Sequence, residues 1–590
     1  MKSTAKPTAQ PAVKPKAKAA AQPARKARGK ASTASAEAHD GKPAGRPHVP
    51  LNSQDLYFLD SDTPTAPTHV GGLEIYALPP GAGRDFMQTL YASLKNSPVR
   101  ADPFDSRLAT VTPEPPAGLL GKLRPRPLRK PKPVRVWEHV ERVNVEEHLY
   151  LHALPRPGGQ RELGELVSRL HVNRLDRHRP LWEVHLIEGL EGGRYAVYTK
   201  LHHSQFDGQR GMALNQYTRS TDPNARDLPP VWSVQLPDHE GAVHQASSGS
   251  LKDAASAWGK ALVTFGKMRE HKPGEGVIAP YTAPACILNG PLTSRRRLGT
   301  QSLPIPRMKA LGAAVEGGAT VNEILLAVCA GALRRYLLDR DALPSQPLIA
   351  ACPVAVPRKD AAGAGNAVGQ IIVSLATHLA HPRQRLQAVV ESSRTNKGLM
   401  KTLAPEVYAA YTHLSMIPQI LAAKTSFGHK VLNANLVISN VPGPRETQYV
   451  NGARLEAMYS ASMLLAGQAL NITVCNFGDN LDMGIMACPD LCPSPQRIAV
   501  YAGEELEVLE RAMGIEPGRA DAPADKVATK AAARKAPARK APATSAPATK
   551  TSARKALPKT APAKKAPAVQ APAKGPATQS AARRAPARRS

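Results

Sequence analysis

No apolar run in the 590 residues is long enough to cross a bilayer, so a spanning helix is not expected. The opening residues are basic, but the apolar stretch of a secretory leader does not follow them, and none is expected. Cysteine is scarce, and six in a chain of this length give no disulfide framework. Cys488 and Cys492 are spaced wider than a CxxC pair, so ordinary thiols are the simpler reading than metal or redox use. Neither a metal nor a cofactor is expected, and a reducing cytoplasm is the simplest setting.

Acidic and aromatic residues are almost missing from both ends. Residues 1–47 hold 11 Lys/Arg against 2 acids, and residues 519–590 hold 18 against 2, so the ends carry +25 of the net +31. Repeats such as Arg534-Lys535-Ala536-Pro537 supply no core and interrupt any helix, so both tails are expected to be disordered. The region between them is nearly balanced in charge and too long for one typical domain. The expected organisation is a tail (1–47), a first domain (48–235), a linker with an amphipathic helix (236–289), a second domain (290–515) and a tail (516–590).

Residues 182–188 alternate in polarity and predict a strand. A turn at 189–193 would pair it with a second strand over 194–201. A helix is predicted over 212–219, and the Pro-, Gly- and Ser-rich stretch 222–250 reads as loop or linker. Leu251, Ala255, Trp258, Leu262 and Phe265 recur at helical spacing, with Lys252, Lys260 and Lys267 elsewhere on the surface. That apolar face either packs on the domains, which is the expectation, or meets a lipid surface. Thr320 and Glu323 have the spacing of a capping box, and Ile324, Leu325, Val328, Leu333 and Leu337 continue the helix. Residues 470–477 and 481–487 read as a hairpin around Gly478-Asp479-Asn480. Strands and helices mixed through both halves predict two α/β domains.

The second predicted strand runs straight into His202-His203-Ser204-Gln205-Phe206-Asp207-Gly208, an HHxxxDG string. Histidine is the side chain best suited to take a proton near neutral pH. A strand end is where a rigid scaffold commonly presents such a group. Asp207 can fix a tight turn, and Gly208 permits backbone geometry that a side chain would hinder.

Other segments accompany this string. Ser53-Gln54-Asp55 opens the core and Pro67-Thr68-His69-Val70-Gly71 follows. Arg179-Pro180-Leu181-Trp182-Glu183 precedes the histidines, Thr320-Val321-Asn322-Glu323-Ile324-Leu325-Leu326-Ala327 comes after the midpoint, and Ser439-Asn440-Val441-Pro442-Gly443-Pro444 lies in the last third. In this order they resemble the bacterial wax ester synthase/acyl-CoA:diacylglycerol acyltransferase family over residues 50–512. The resemblance implies two chloramphenicol-acetyltransferase-like α/β domains with the active site in a channel between them. Acyl-CoA would enter one side, and an alcohol or diacylglycerol the other. It also implies that His203 is the general base. His202 would orient the loop, and Asp207 would anchor it rather than act as a triad acid. Glu323 stands where the family usually has Asp, and Thr68 where it usually has Met. Neither is expected to touch the histidine string, and both bear on substrate preference.

Further candidates have two readings each. Pro180, Leu181 and Trp182 either pack the core or contact substrate. Asn322 assists a helix cap or belongs to the site. Ser439 and Asn440 lie in a turn after a strand or line the channel. Arg295-Arg296-Arg297 is expected as a solvated face, with CoA phosphates as the alternative partner.

Two rival functions use the same residues differently. A peptide-synthetase condensation domain also carries HHxxxDG, but carrier and adenylation modules are not seen here. The tails could bind nucleic acid without sequence preference, or an anionic membrane surface. Attachment at the inner membrane or lipid bodies is expected to be peripheral.

Overall fold

The computed structural model describes residues 48–518, except 101, 113–131, 207–210, 212–213, 215, 235–250, 271–276, 356–367 and 425–431. The expected tails therefore lie outside the described residues, apart from 516–518.

The first half is built from β1 (Val49–Pro50), α1 (Ser53–Ser61), β2 (His69–Ala77), α2 (Phe86–Lys95), β3 (Ser106–Val111), β4 (Val134–His139), β5 (Leu149–Ala153), α3 (Gln160–Val172), β6 (Trp182–Leu190) and β7 (Arg194–His202). The predicted hairpin forms as expected: β6 and β7 pair antiparallel across the 189–193 turn. Of the helix expected over 212–219, the described residues 214 and 216–218 are helical.

The second half supplies α4 (Leu251–Glu270), β8 (Arg297–Pro304), α5 (Ile305–Ala314), α6 (Val321–Leu338), β9 (Ile349–Ala355), β10 (Val368–Ser374), α7 (Pro382–Lys401) and α8 (Pro405–Lys424). It continues with β11 (Leu436–Val441), β12 (Tyr449–Val450), β13 (Ala453–Ala461), β14 (Leu470–Phe477), β15 (Asn480–Ala487) and α9 (Gln496–Ala512). Thr320 caps α6 as its sequence predicts: its hydroxyl accepts the Glu323 amide at 3.2 Å, and the Glu323 carboxylate accepts the Thr320 amide at 2.8 Å. The hairpin β14–β15 also forms.

Two six-stranded sheets dominate. One has the order β12-β13-β2-β7-β6-β5 and the other β10-β9-β11-β14-β15-β8; a small sheet, β1-β4-β3, stands beside them. The division at 236–289 does not hold for the sheets. β11 and β14 are parallel neighbours in the second sheet, yet the chain between them leaves it and returns. On that excursion β13 pairs antiparallel with β2 and completes the first sheet. Its other face is tied to the second sheet, where the Met458 amide donates to the Asp482 carboxylate at 2.8 Å.

The helix expected in the linker is also no linker. Ala261 and Met268 of α4 belong to the second half's main core, together with Val407, Tyr408 and Tyr411 of α8. This corrects the expected face. Ala255, Trp258 and Leu262 point to solvent, and the buried line runs through Ala261, Phe265 and Met268 instead. Among the described residues no helix is long and apolar enough to cross a membrane.

Candidate active site

The histidine pair sits where the strand pattern puts it. His202 is the last residue of β7 and lies opposite His69 of β2. Its amide donates to the Leu181 carbonyl at 3.1 Å. The next amide, that of His203, donates to the Thr68 carbonyl at 3.1 Å, and the chain then turns, with Gln205 and Phe206 both donating to the His202 carbonyl. The two rings part company at this turn. His202 is buried, whereas His203 keeps partial exposure and stacks on Phe58 of α1 with centroids 4.2 Å apart.

The bonds around His202 fix its proton. The Thr68 hydroxyl donates to the Phe58 carbonyl at 2.9 Å, so toward the His202 Nε2, 3.2 Å away, it can only accept. Nε2 therefore carries the hydrogen. Nδ1 accepts from the Ser204 hydroxyl at 2.7 Å and from the Ser204 amide at 3.2 Å. Burial pushes the His202 ring down to about 4, against the opposite pull of Asp62, so the ring is neutral at neutral pH. These contacts hold the His202 ring in one orientation.

Asp62 closes α1 and stands 4.0 Å from the His202 Nε2. Burial raises its carboxyl, but two arginines outweigh that and hold it below the usual carboxylate range. Arg174 reaches it at 2.7 and 3.1 Å, and Arg177 at 3.0 Å. The same guanidiniums accept work at the helix end: Arg177 donates to the Leu59 carbonyl and Arg174 to the Asp62 carbonyl. Cations at a helix C-terminus meet its unpaired carbonyls and the negative end of its dipole. Lys200, fully buried on β7, does the same for α3, donating to the carbonyls of Leu170 and Asn173 while paired with Glu183 at 2.6 Å. The end of α3 thus aims the segment that carries Arg174 and Arg177.

The Pro67-to-Gly71 segment is now legible residue by residue. Thr68 holds His202. His69 donates from Nε2 to the His171 carbonyl at 2.7 Å. At Gly71 a Cβ would come 2.4 Å from the Tyr198 ring, so no larger residue fits. In Ser53-Gln54-Asp55, Asp55 completes a capping box with Asn52 and accepts from the Trp137 indole at 3.3 Å.

Beside Phe58 and Thr68 lies a narrow recess with free space of about 20 Å³. Tyr57, Ser61 and Ala66 line it from the first half, and Met463 to Ala466 from the second. Arg296 pins one wall by donating to the Thr65 carbonyl at 2.6 Å. The arginine run is therefore a solvated face only in part, with Arg295 exposed. Arg296 is buried, Arg295 pairs with Asp490 at 2.5 Å, and Arg297 faces Glu165 at 3.9 Å.

The remaining candidates separate. Asp207 and Gly208 lie outside the described residues. Pro180, Leu181 and Trp182 are buried, and the substrate-contact reading gives way to packing. Trp182 stacks on His148 and Trp232 and donates to the Phe104 carbonyl at 2.9 Å, which leaves no face for a ligand. Asn322 is partly buried in the first turn of α6. Ser439 and Asn440 stand in the last half of β11, paired in register with Thr473 and Val474, and Asn440 is exposed. Gly443 beyond them is held so close that a Cβ would lie 1.9 Å from the Asn476 carbonyl. Of the two departures, Glu323 spends its carboxylate on the α6 cap and on Arg394. Thr68 does touch the histidine string, contrary to expectation.

Thr68→Val is expected to cost about 1–3 kcal/mol, because it leaves the buried Nε2–H of His202 without its acceptor. Denaturant titration checks this, and Thr68→Ser should recover most of the loss.

Reasoning from the chain alone missed Phe58, Asp62, Arg174 and Arg177. Asp62 looks like one more polar residue in a turn. The Arg174-x-x-Arg177 spacing just ahead of Pro180 was the available signal.

Comparison with known proteins agrees with this arrangement. Residues 51–325 match the wax ester synthase/diacylglycerol acyltransferase catalytic domain, and residues 364–510 match the C-terminal domain of the same family. A probable diacylglycerol O-acyltransferase of Mycobacterium tuberculosis is 38% identical over 472 residues, which cover 78% of this chain and 98% of the relative. The O-acyltransferase WSD of Acinetobacter baylyi is 33% identical over 477 residues, covering 78% and 97%. A solved wax ester synthase/diacylglycerol acyltransferase from Marinobacter aquaeolei superposes with a TM-score of 0.62 at 34% identity, covering 79% of this chain and all of that one. With both halves matched and relatives this similar along nearly their whole length, the chain belongs to the wax ester synthase/diacylglycerol acyltransferase family.

Proposed function

We infer that the protein is an acyl-CoA-dependent O-acyltransferase that moves a fatty acyl group to diacylglycerol, to a long-chain alcohol, or to both. The observation that carries this reading is a partly exposed His203 at a strand end, beside a mainly apolar recess and backed by a neutral, fixed His202.

An alcohol hydroxyl is a poor nucleophile. The His203 imidazole takes its proton as the oxygen attacks the thioester carbonyl. The carbon–sulfur bond of the tetrahedral intermediate then breaks, and the imidazolium returns the proton to the departing CoA thiolate. The thioester is already activated, so acyl-CoA serves as substrate and no cofactor or enzyme-bound acyl group is needed. Phe58 holds the ring by stacking. His202, Thr68 and Asp62 hold the turn that presents it.

The recess is lined mainly by apolar side chains. Its walls come from both halves, so a substrate there would meet α1 on one side and the 463–466 segment on the other. Because these substrates partition into lipid, attachment to a membrane or lipid-body surface would be peripheral. The basic tails would add electrostatic attraction to anionic surfaces, nucleic acid included. The condensation-domain alternative is set aside, since both family domains match and no carrier is required by this chemistry.

The test is release of free CoA thiol by the purified protein. Acyl-CoA with hexadecanol or diacylglycerol, and no carrier protein, is expected to give stoichiometric ester and thiol. Turnover that requires a carrier-bound acyl group would refute the reading.

A further inference from the structure

A helix packed on a globular surface ordinarily turns its charged side outward. The middle turns of α4 depart from this, although Lys260, Lys267 and Glu270 are exposed. Between 255 and 266 every exposed position except Lys260 is uncharged. The large ones are Trp258, 41% exposed, Leu262, 56%, and Val263, 58%. Trp258 and Leu262 are one turn apart, and Val263 adjoins them, with Gly259 and Gly266 filling the same side. The buried side, Ala261, Phe265 and Met268, is already spent on the core.

The patch continues onto the neighbouring helix. Trp258 lies 6.5 Å from the His413 ring of α8, and Ile417, one turn further, is 39% exposed. Two lysines, Lys260 and Lys267, stand exposed along one border of the α4 stripe. An apolar stripe with an edge tryptophan and a basic margin matches a surface that is hydrocarbon inside and anionic at its headgroups.

We propose that the solvent face of α4, with the adjoining turn of α8, docks on an anionic lipid surface by inserting Trp258, Leu262 and Val263 at the headgroup boundary. The surface is separate from the histidine site. It rests on the acyltransferase reading only for the reason a lipid surface is useful, since substrates of long chain length are delivered from one.

The chain's own fluorescence provides the probe. Trp137, Trp182 and Trp232 are buried, so a change in emission on binding reports Trp258. The experiment uses the full chain with vesicles of phosphatidylcholine and phosphatidylglycerol in 0.5 M salt, which screens the tails. Expected are co-sedimentation, a blue shift of tryptophan emission, and a loss of at least about tenfold in partitioning for the triple variant Trp258→Ser, Leu262→Ser, Val263→Ser. The single variant Leu262→Glu should weaken binding in the same direction and covers the case in which the triple variant folds poorly.

Turnover on a short-chain soluble alcohol is measured in parallel. It should be unchanged in these variants, and its absence in the parent would count against the acyltransferase reading alone. Equal partitioning by parent and folded variants, or an unshifted emission in the bound parent, overturns the proposal. A parent dimer that the variants convert to monomers without vesicles also overturns it, in favour of a second copy as the occupant.

Discussion

His203→Ala is expected to fold and to lose acyl transfer about 10²–10⁴-fold, the usual contribution of a positioned general base. The fold should survive because the ring is partly exposed, with one face stacked on Phe58. Losing that contact costs about 0.5–1.5 kcal/mol, while the backbone bond from residue 203 to the Thr68 carbonyl remains. The kinetic pattern should distinguish chemistry from binding. kcat should fall with little change in KM for either substrate, because the proton is moved only as the carbonyl is attacked. A folded variant with near-normal kcat would remove His203 from the chemistry. A His202 variant should behave differently. Its ring is enclosed by Thr68, Ser204 and Asp62, so stability and activity should fall together.

Asp62→Ala should have the largest effect on stability, about 2–3 kcal/mol. Breaking a buried ion pair costs about 3–5 kcal/mol. Here the carboxylate side chain is 3% exposed but its arginines are 35% and 32% exposed, so water screens part of the loss. Two guanidiniums lose their shared carboxylate, and the Thr68 amide loses its acceptor at 3.3 Å. Denaturant unfolding measures this directly.

The pH dependence separates Asp62 from His202. The folded carboxyl of Asp62 lies below its ordinary value, so its contribution is present above the unfolded carboxylate range and is lost only as acid titrates the folded group. His202 is also depressed, from about 6.5 to about 4, so it stabilises the fold above pH 6.5 and this is lost as pH falls toward 4. In Asp62→Ala the decline between pH 6.5 and 4 should persist, since burial is its first cause. Because Asp62 pulls the ring up, its removal should carry the His202 decline to still lower pH. If that decline vanished in the variant, burial would not be what holds the His202 ring down.

Elements with local signals were legible in the chain. The β6–β7 hairpin, the α6 cap and the β14–β15 hairpin follow from alternation, capping spacing and turn residues. The histidine string at the end of β7 was equally plain, because a strand pattern stops where the motif starts. The clamp on Asp62 was not, since Arg174 and Arg177 lie 112 and 115 residues away and no local pattern links them. Trp182 and α4 show a second limit. Periodicity locates an apolar face but does not say what it meets. Trp182 proved to be core, and Trp258 and Leu262 proved to be surface. Nor did any local feature announce that the short stretch after Ser439-Asn440 leaves one sheet for the other.

That excursion has a consequence for how the protein can be divided. With β13 in place, β2 is an interior strand with neighbours on both sides. A piece ending near residue 235 would carry β2 as a bare edge, its unpaired amides and carbonyls open to any other strand. The second half would in turn hold a β13 whose partner is missing. Each piece would therefore be prone to edge-to-edge aggregation or to swapping strands with a copy of itself. Two separately made halves would regain a closed sheet only by finding each other. For a chain synthesised from the first half onward, the histidine-bearing sheet stays open at β2 until residues 453–461 have been made.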